Sequence, residues 1–243
     1  MKKLLTFLAV TIAFTVNAQV THTGTTNTGT YSSAIGTYTT ASAGAAFASG
    51  RDSKATADYS RAMGYFTEAN GVSSTAMGTR GKANGNSSTA MGGYTEANGD
   101  TSTAMGYYSE ANGDYSTAMG YGSYANDYSS FVIGYLNSSG STVTGSATSA
   151  NSANTLFVIG NGTFVNRSDA FKVMANGDTT VSNDLTVGGD IVVSSDARLK
   201  ANIVSLGSTL AKLLLIDGKS YTMKKDGKQK IGVLAQDIQK VFP

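Results

Sequence analysis

A mainly β protein built on a parallel β-solenoid, or β-roll, of 14-residue repeats is the fold class this sequence predicts. Three features carry that reading. Gly36, Gly50, Gly64, Gly78, Gly92, Gly106, Gly120 and Gly134 stand 14 residues apart. The preceding residue is Met in five of these units (Met63, Met77, Met91, Met105, Met119) and Ile in two (Ile35, Ile133). Ala-Asn-Gly returns at Ala69-Asn70-Gly71, Ala83-Asn84-Gly85, Ala97-Asn98-Gly99 and Ala111-Asn112-Gly113, with Ala125-Asn126-Asp127 as a worn copy. The period is too short for ankyrin, tetratricopeptide or propeller units, and it lacks heptad apolar spacing.

Each unit reads as one coil of two short strands and two turns. Ser74-Thr75-Ala76-Met77-Gly78 is one strand by alternation, and the stretch before Asn84 is the second. Asn-Gly supplies a turn because both residues tolerate positive φ. Coils stacked at about 4.8 Å make eight of them a stack roughly 40 Å long.

Alternation sorts the faces. Ala76 points opposite to Thr75 and Met77, and a coil this thin suits small residues inside, the Ala76 and Ala83 columns. The Met column then forms an apolar stripe outside the coil, to be covered by identical chains. The other placement has Met filling irregular gaps in the coil interior. Glu68, Glu96 and Glu110 share a column, with Lys82 between the first two offsetting repulsion by about 0.2–1 kcal/mol, so this column faces water. Tyr94, Tyr107, Tyr108, Tyr121 and Tyr124 suit packing over the roll or contact with sugars.

Composition removes most enzyme classes. The chain has 243 residues with 29 Gly, one Pro, no Cys and no Trp; 40% are hydrophobic and 14% charged. That is too apolar for a disordered chain and too polar for a membrane bundle. Without Cys there are no disulfides, thiolate zinc sites or cysteine nucleophiles. The one His, His22, leaves no Ser-His-Asp triad and no His-rich metal site. Neither cofactor nor metal is expected. Charge divides the chain: residues 20–195 hold seven basic against twelve acidic residues, and residues 196–243 nine basic against four acidic. The basic end lacks a nucleic-acid-binding motif, so no nucleic-acid partner is expected.

Lys2 and Lys3 precede an apolar run over residues 4–16 and a small-residue site, Val16-Asn17-Ala18. This reads as a signal peptide over 1–18, hence a secreted or cell-surface protein. The run is too short to span a bilayer, and no later membrane span is expected. The β-roll head covers 33–137. Residues 138–154, almost all Ser, Thr, Gly and Ala, read as a flexible connector. A β shaft follows over 155–194, with strands at Leu156-Phe157-Val158-Ile159-Gly160, Ala170-Phe171-Lys172-Val173, 179–181, 185–187 and 191–193, too short to be stable singly.

The Ser-Thr-Ala-Met-Gly and Ala-Asn-Gly units over 33–137 resemble the head repeat of trimeric autotransporter adhesins of the YadA type. That resemblance implies a left-handed β-roll and a homotrimer, with a host-surface glycan or protein as candidate partner. The chain departs from these adhesins in showing no C-terminal membrane barrel and no coiled-coil stalk.

Residues 195–243 change character. Ser195-Asp196-Ala197-Arg198-Leu199-Lys200 leads to a helical pattern at Leu206, Leu210, Leu213 and Leu214, a strand over 219–223, a turn at Asp226-Gly227, a strand over 230–234 and a helix from Ala235. The Ser-Asp-x-Arg-x-Lys entry and the Ile-Gly-x-x-Ala-Gln segment ending in Val-Phe-Pro resemble the peptidase S74 family, the intramolecular chaperone of endosialidases and phage tail fibres. The resemblance implies a small α+β chaperone segment that assists trimer assembly and then cleaves itself off. It implies a catalytic dyad of Ser195 and Lys200, an autoproteolytic serine endopeptidase acting only on its own chain. A desolvated Lys loses its proton and becomes a base for a neighbouring hydroxyl, so the step needs no His. The family's domain continues past Val-Phe-Pro, so this segment is expected to be its N-terminal part, in a truncated chain.

Two other functions fit parts of the sequence. Thr75, Thr89, Thr103 and Thr117 form a ladder of the kind an ice-binding solenoid uses, although each coil offers one Thr where a flat two-Thr row is expected. Asp100 and Asp114 recur only twice, and the Gly-Gly-x-Gly-x-Asp repeat of calcium-binding rolls is missing.

Overall fold

The computed structural model describes residues 23–188, 201–205, 207, 209–224 and 227–242. The chain divides into two units, 1–186 and 187–243.

The first unit is the solenoid. Long strands Ser33–Thr37, Phe47–Arg51, Arg61–Tyr65, Thr75–Thr79, Thr89–Gly93, Thr103–Tyr107, Thr117–Tyr121 and Phe131–Tyr135 stack into one parallel sheet. Two-residue strands, among them Lys54–Ala55, Glu68–Ala69, Lys82–Ala83 and Glu96–Ala97, stack into a second. From Ser33 to Tyr135 each residue of a long strand pairs with its counterpart 14 positions away, as Ala76 with Ala90 and Met77 with Met91. Parallel stacking begins before Ser33, with Thr26 paired to Thr40.

The interior is a double column of alanines. Ala62, Ala76, Ala90, Ala104 and Ala118 from the long strands and Ala69, Ala83, Ala97 and Ala111 from the short ones are all fully buried. A methyl is the largest group that fits a two-walled coil this thin, and Val132 and Val158 enter only at the last coils. Buried hydroxyls flank the alanines, including Ser60, Ser74, Ser88 and Ser102. Ser60 donates to the Ala57 carbonyl at 2.6 Å. The hydroxyls of Ser74, Ser88, Ser102 and Ser116 find no hydrogen-bond partner among the described residues.

The turns correct the sequence reading. Asn-Gly does not supply the positive φ. Instead Ser73 (φ 58°) and Arg80 (φ 55°) do, together with their equivalents in nearly every coil. Each is held across the stack by its own N–H: Ser73 bonds the Asp58 carbonyl and Arg80 the Tyr65 carbonyl, both at 2.8 Å. These bonds offset a left-handed conformation that costs roughly 1–2 kcal/mol for an L-residue. Gly71 is required by crowding, since a Cβ there would lie 1.9 Å from the Gly85 carbonyl oxygen. Its neighbour Asn70 starts a ladder down the outside of the roll, Asn70 to Asn84 at 2.9 Å, Asn84 to Asn98 and Asn98 to Asn112 at 2.6 Å, and Asn112 to Asn126.

Residues 138–154, read as a flexible connector, are tied to the last full coil. Carbonyls of Gly140, Ser146 and Ala147 accept from the backbone N–H groups of Asn126, Tyr128 and Asp114. The segment thus provides acceptors that a further coil would otherwise provide, and it covers an open sheet edge. The chain then re-enters the long sheet: Thr155–Asn161 pairs parallel with Phe131–Tyr135, so Phe157-Val158-Ile159-Gly160 lies beside Phe131-Val132-Ile133-Gly134. Asp169–Met174 and Thr179–Val181 add antiparallel to the same sheet. The first three strands expected of a shaft therefore extend the roll's own sheet. Residues 185–187 form no strand.

The second unit holds a short helix Leu210–Leu213, an antiparallel pair Lys219–Thr222 with Gln229–Gly232, and a helix Ala235–Val241. Both helices bury none of their residues, and Leu210, Leu214, Leu215 and Ile231 are exposed. Among the described residues, no helix is long and apolar enough to cross a membrane.

Candidate functional site

Two surfaces of the roll collect the side chains that alternation turns outward. On the long sheet, Ile35, Ser49, Met63, Met77, Met91, Met105, Met119, Ile133 and Ile159 form one column, all half-buried and apolar without a break from Met63 onward. Ala faces in and Met faces out, so of the two placements open to Met the structure takes the outer one. A second column on this face runs Arg61, Thr75, Thr89, Thr103, Thr117, Phe131 and Phe157. The Thr ladder is therefore in register but flanked by Met and bounded by Arg61 and Phe131. Phe131 and Phe157 stack at 5.8 Å and Phe171 meets Phe157 edge-on at 5.8 Å, which widens the apolar face at its last strands. Sequence reading missed this widening, although the repeated Phe-Val/Ile-Gly string signals it.

The second surface lies at a turn. Phe66, Arg80, Tyr94 and Tyr108 occupy equivalent positions in four successive coils. The Arg80 guanidinium sits 5.3 Å from the Phe66 ring centre and 5.6 Å from that of Tyr94, and Tyr94 stacks on Tyr108 at 4.7 Å. Beside this stack runs the charged column Lys54, Glu68, Lys82, Glu96 and Glu110, and the two together line a groove. Lys54 pairs with Glu68 at 3.6 Å and Lys82 with Glu96 at 3.1 Å. Lys54 thus shares the task expected of Lys82 alone. The hydrogen bond and charge of Glu96 raise the Lys82 ammonium above its usual range. Tyr107 likewise has its phenol raised, mainly by desolvation.

The other residues singled out in the sequence fall elsewhere. Asp100 and Asp114 each accept a backbone N–H of the preceding coil, from Asn86 at 2.8 Å and Asp100 at 2.9 Å. Their carboxylates hold coils together, and no cluster of three or more metal-ligating residues exists among the described residues. Residues 1–18, read as a signal peptide, residues 191–193, read as a strand, and His22, Ser195, Asp196, Arg198, Lys200, Leu206 and Asp226 lie outside the described residues.

Fold and surfaces define a class: a parallel β-solenoid repeat protein with an apolar outer face, followed by a small α+β segment. Sequence comparison gives this class its particulars. Residues 28–53, 55–80, 83–109 and 111–137 each match the YadA head domain repeat in two copies, and residues 195–243 match the chaperone of endosialidase, Peptidase_S74. No curated protein matches the chain. Head repeats followed by this chaperone support an adhesin-like or tail-fibre-like protein.

Proposed function

We propose that the chain is an exported, homotrimeric fibre or adhesin, with the roll as head and the C-terminal segment as assembly chaperone. The half-buried Met and Ile column carries this reading, since an apolar stripe unbroken over the seven strands from Met63 to Ile159 on a lone chain calls for a covering surface. A second copy of the chain offers the same stripe at the same period. The exposed leucines of the C-terminal unit support association there as well. The sequence features of residues 1–18 support export.

In this reading Lys200 takes the proton of the Ser195 hydroxyl, and the freed oxygen attacks a neighbouring backbone carbonyl. An acyl-enzyme ester forms as the peptide C–N bond breaks, and the proton passes to the leaving amine. Water then releases the ester. Proximity replaces substrate binding, because nucleophile and target belong to one chain. The molar mass of the mature protein, measured by light scattering, tests the trimer: three chains are expected in the wild type, and one chain in Met91→Lys with Met105→Lys. A folded wild-type monomer sinks the assembly reading. For cleavage, a chain carrying the family's full C-terminal domain should yield a fragment cut near residue 195, absent in Ser195→Ala. Persistent cutting in that variant removes the dyad.

A further inference from the structure

The turn column Phe66, Arg80, Tyr94, Tyr108 is a continuous stack of flat groups, and it stops at Gly122. The next coil places Gly122 where a ring is due, and the coil after places Leu136 there. One face of the Tyr108 ring is covered by Tyr94. Tyr107 meets the ring edge-on at 4.6 Å, and Tyr108 also lines a cavity of about 190 Å³ at the level of Gly122. Leu136 leans in from the far side, its Cδ2 lying 2.7 Å from where a Gly122 Cβ would stand.

The walls are of mixed chemistry. Tyr121 and Phe164 meet edge-on at 5.5 Å on one side. On the other, the Arg167 guanidinium lies 4.0 Å over the Tyr124 ring. One Nη of Arg167 donates to the carbonyls of Gly122 at 2.9 Å and Asn137 at 3.3 Å. Its remaining N–H groups have no partner among the described residues. Among the described residues, no carboxylate lines the cavity.

We infer that the Gly122 gap is a binding site for a single pyranose ring of a glycan. An aromatic face takes the apolar C–H face of a sugar. Phenol hydroxyls and a guanidinium meet its hydroxyls or a carboxylate substituent. The missing carboxylate disfavours a cationic ring, and the volume suits one ring rather than the larger ligands that fill pockets of roughly 300–1,000 Å³. The long acidic and basic groove beside Phe66 is a poorer candidate, because its ring faces are already occupied by one another. This inference rests on the adhesive part of the proposed function. It does not depend on trimer formation, so its failure and that of the trimer are separable.

Gly122→Tyr is the decisive variant. Tyr94 and Tyr108 hold the same left-handed conformation (φ 54° and 53°) that Gly122 has at 59°, so a Tyr there continues the stack and fills the gap once the Leu136 Cδ2 methyl, 2.7 Å from the new Cβ, turns aside. Saturation-transfer NMR on the full chain, with the methyl glycosides of glucose, galactose and glucuronic acid as probes, should show transfer to at least one of them. The Gly122→Tyr and Tyr108→Ala chains should lose at least roughly tenfold in affinity for it. Circular dichroism of both variants should match the wild type. If Gly122→Tyr does not fold, Tyr108→Ala decides alone. Transfer to none of the three glycosides, or equal transfer in a folded Gly122→Tyr chain, overturns the inference; so does binding of phenol without any glycoside.

Discussion

Asp127 and Thr155 are 28 residues apart in the chain, yet the Asp127 carboxylate accepts the Thr155 backbone N–H at 2.8 Å. The same fully buried carboxylate accepts the Thr144 N–H at 2.7 Å, the Thr144 hydroxyl and the Gly145 N–H. It therefore fastens segment 138–154 and the strand that follows it. Asp127→Ala leaves these donors unpaired, and hydrogen bonds to a charged group are worth about 1.5–3 kcal/mol each. The variant is expected to lose about 3 kcal/mol or more in urea unfolding and to be cut by protease within 138–154. An unchanged midpoint and cleavage pattern would mean that Asp127 is dispensable.

Asp127 also shows what the sequence could and could not reveal. It stands where Gly71, Gly85, Gly99 and Gly113 stand in earlier coils, and the repeat marks it as a departure. Its role is invisible there because its partners sit at no fixed interval. The columns of Ala, Met and Glu were legible, since a 14-residue period and two-residue alternation dictate them. The strand at Thr155–Asn161 was legible as a strand and not as a further rung, because 26 residues separate Gly134 from Gly160. Asn70-Gly71 was misread for a different reason: local turn chemistry explains the pair well, and only the neighbouring coil shows that crowding governs it. The pyranose site depends on a Gly that replaces an aromatic residue, a pattern visible only after the turn column is aligned.

Gly78→Ala should unfold the roll locally. A Cβ at Gly78 would lie 2.2 Å from the Gly92 carbonyl oxygen, and φ there is 110°, a region closed to side-chain-bearing residues. Backbone strain and overpacking together predict a loss of about 3 kcal/mol or more. A thermal melt within a degree or two of the wild type contradicts this.

Ser88→Ala should raise stability. The Ser88 hydroxyl is buried without a partner among the described residues, and such a group costs about 1–3 kcal/mol. Ser60→Ala is the control, because its hydroxyl is bonded to Ala57 and its loss should lower stability. If both variants shift in the same direction, the hydroxyl of Ser88 is not an unpaired one in solution.

Lys82→Met tests the charged column. The folded-state pKa of Lys82 lies above its ordinary value of 10.5. Its contribution is therefore fully present below that value and fades as pH rises through the higher, folded one. With the Lys82 side chain 45% exposed, the effect should be a few tenths of a kcal/mol. Wild type should exceed Lys82→Met at neutral pH, and the gap should close in strong alkali or molar salt. A gap that widens with alkali reverses the sign and refutes the pairing with Glu96.

Because each rung leans only on the rungs above and below it, the head has a natural unit of editing. Excising residues 86–99 as a block rejoins Gly85 to Asp100 with every column intact, and shortens reach by about 4.8 Å. Removing thirteen residues instead turns hydroxyls and carboxylates onto the alanine seam and scrambles everything downstream. Duplication or loss of whole fourteen-residue blocks thus offers a gene a way to retune the length of the roll without redesigning any contact.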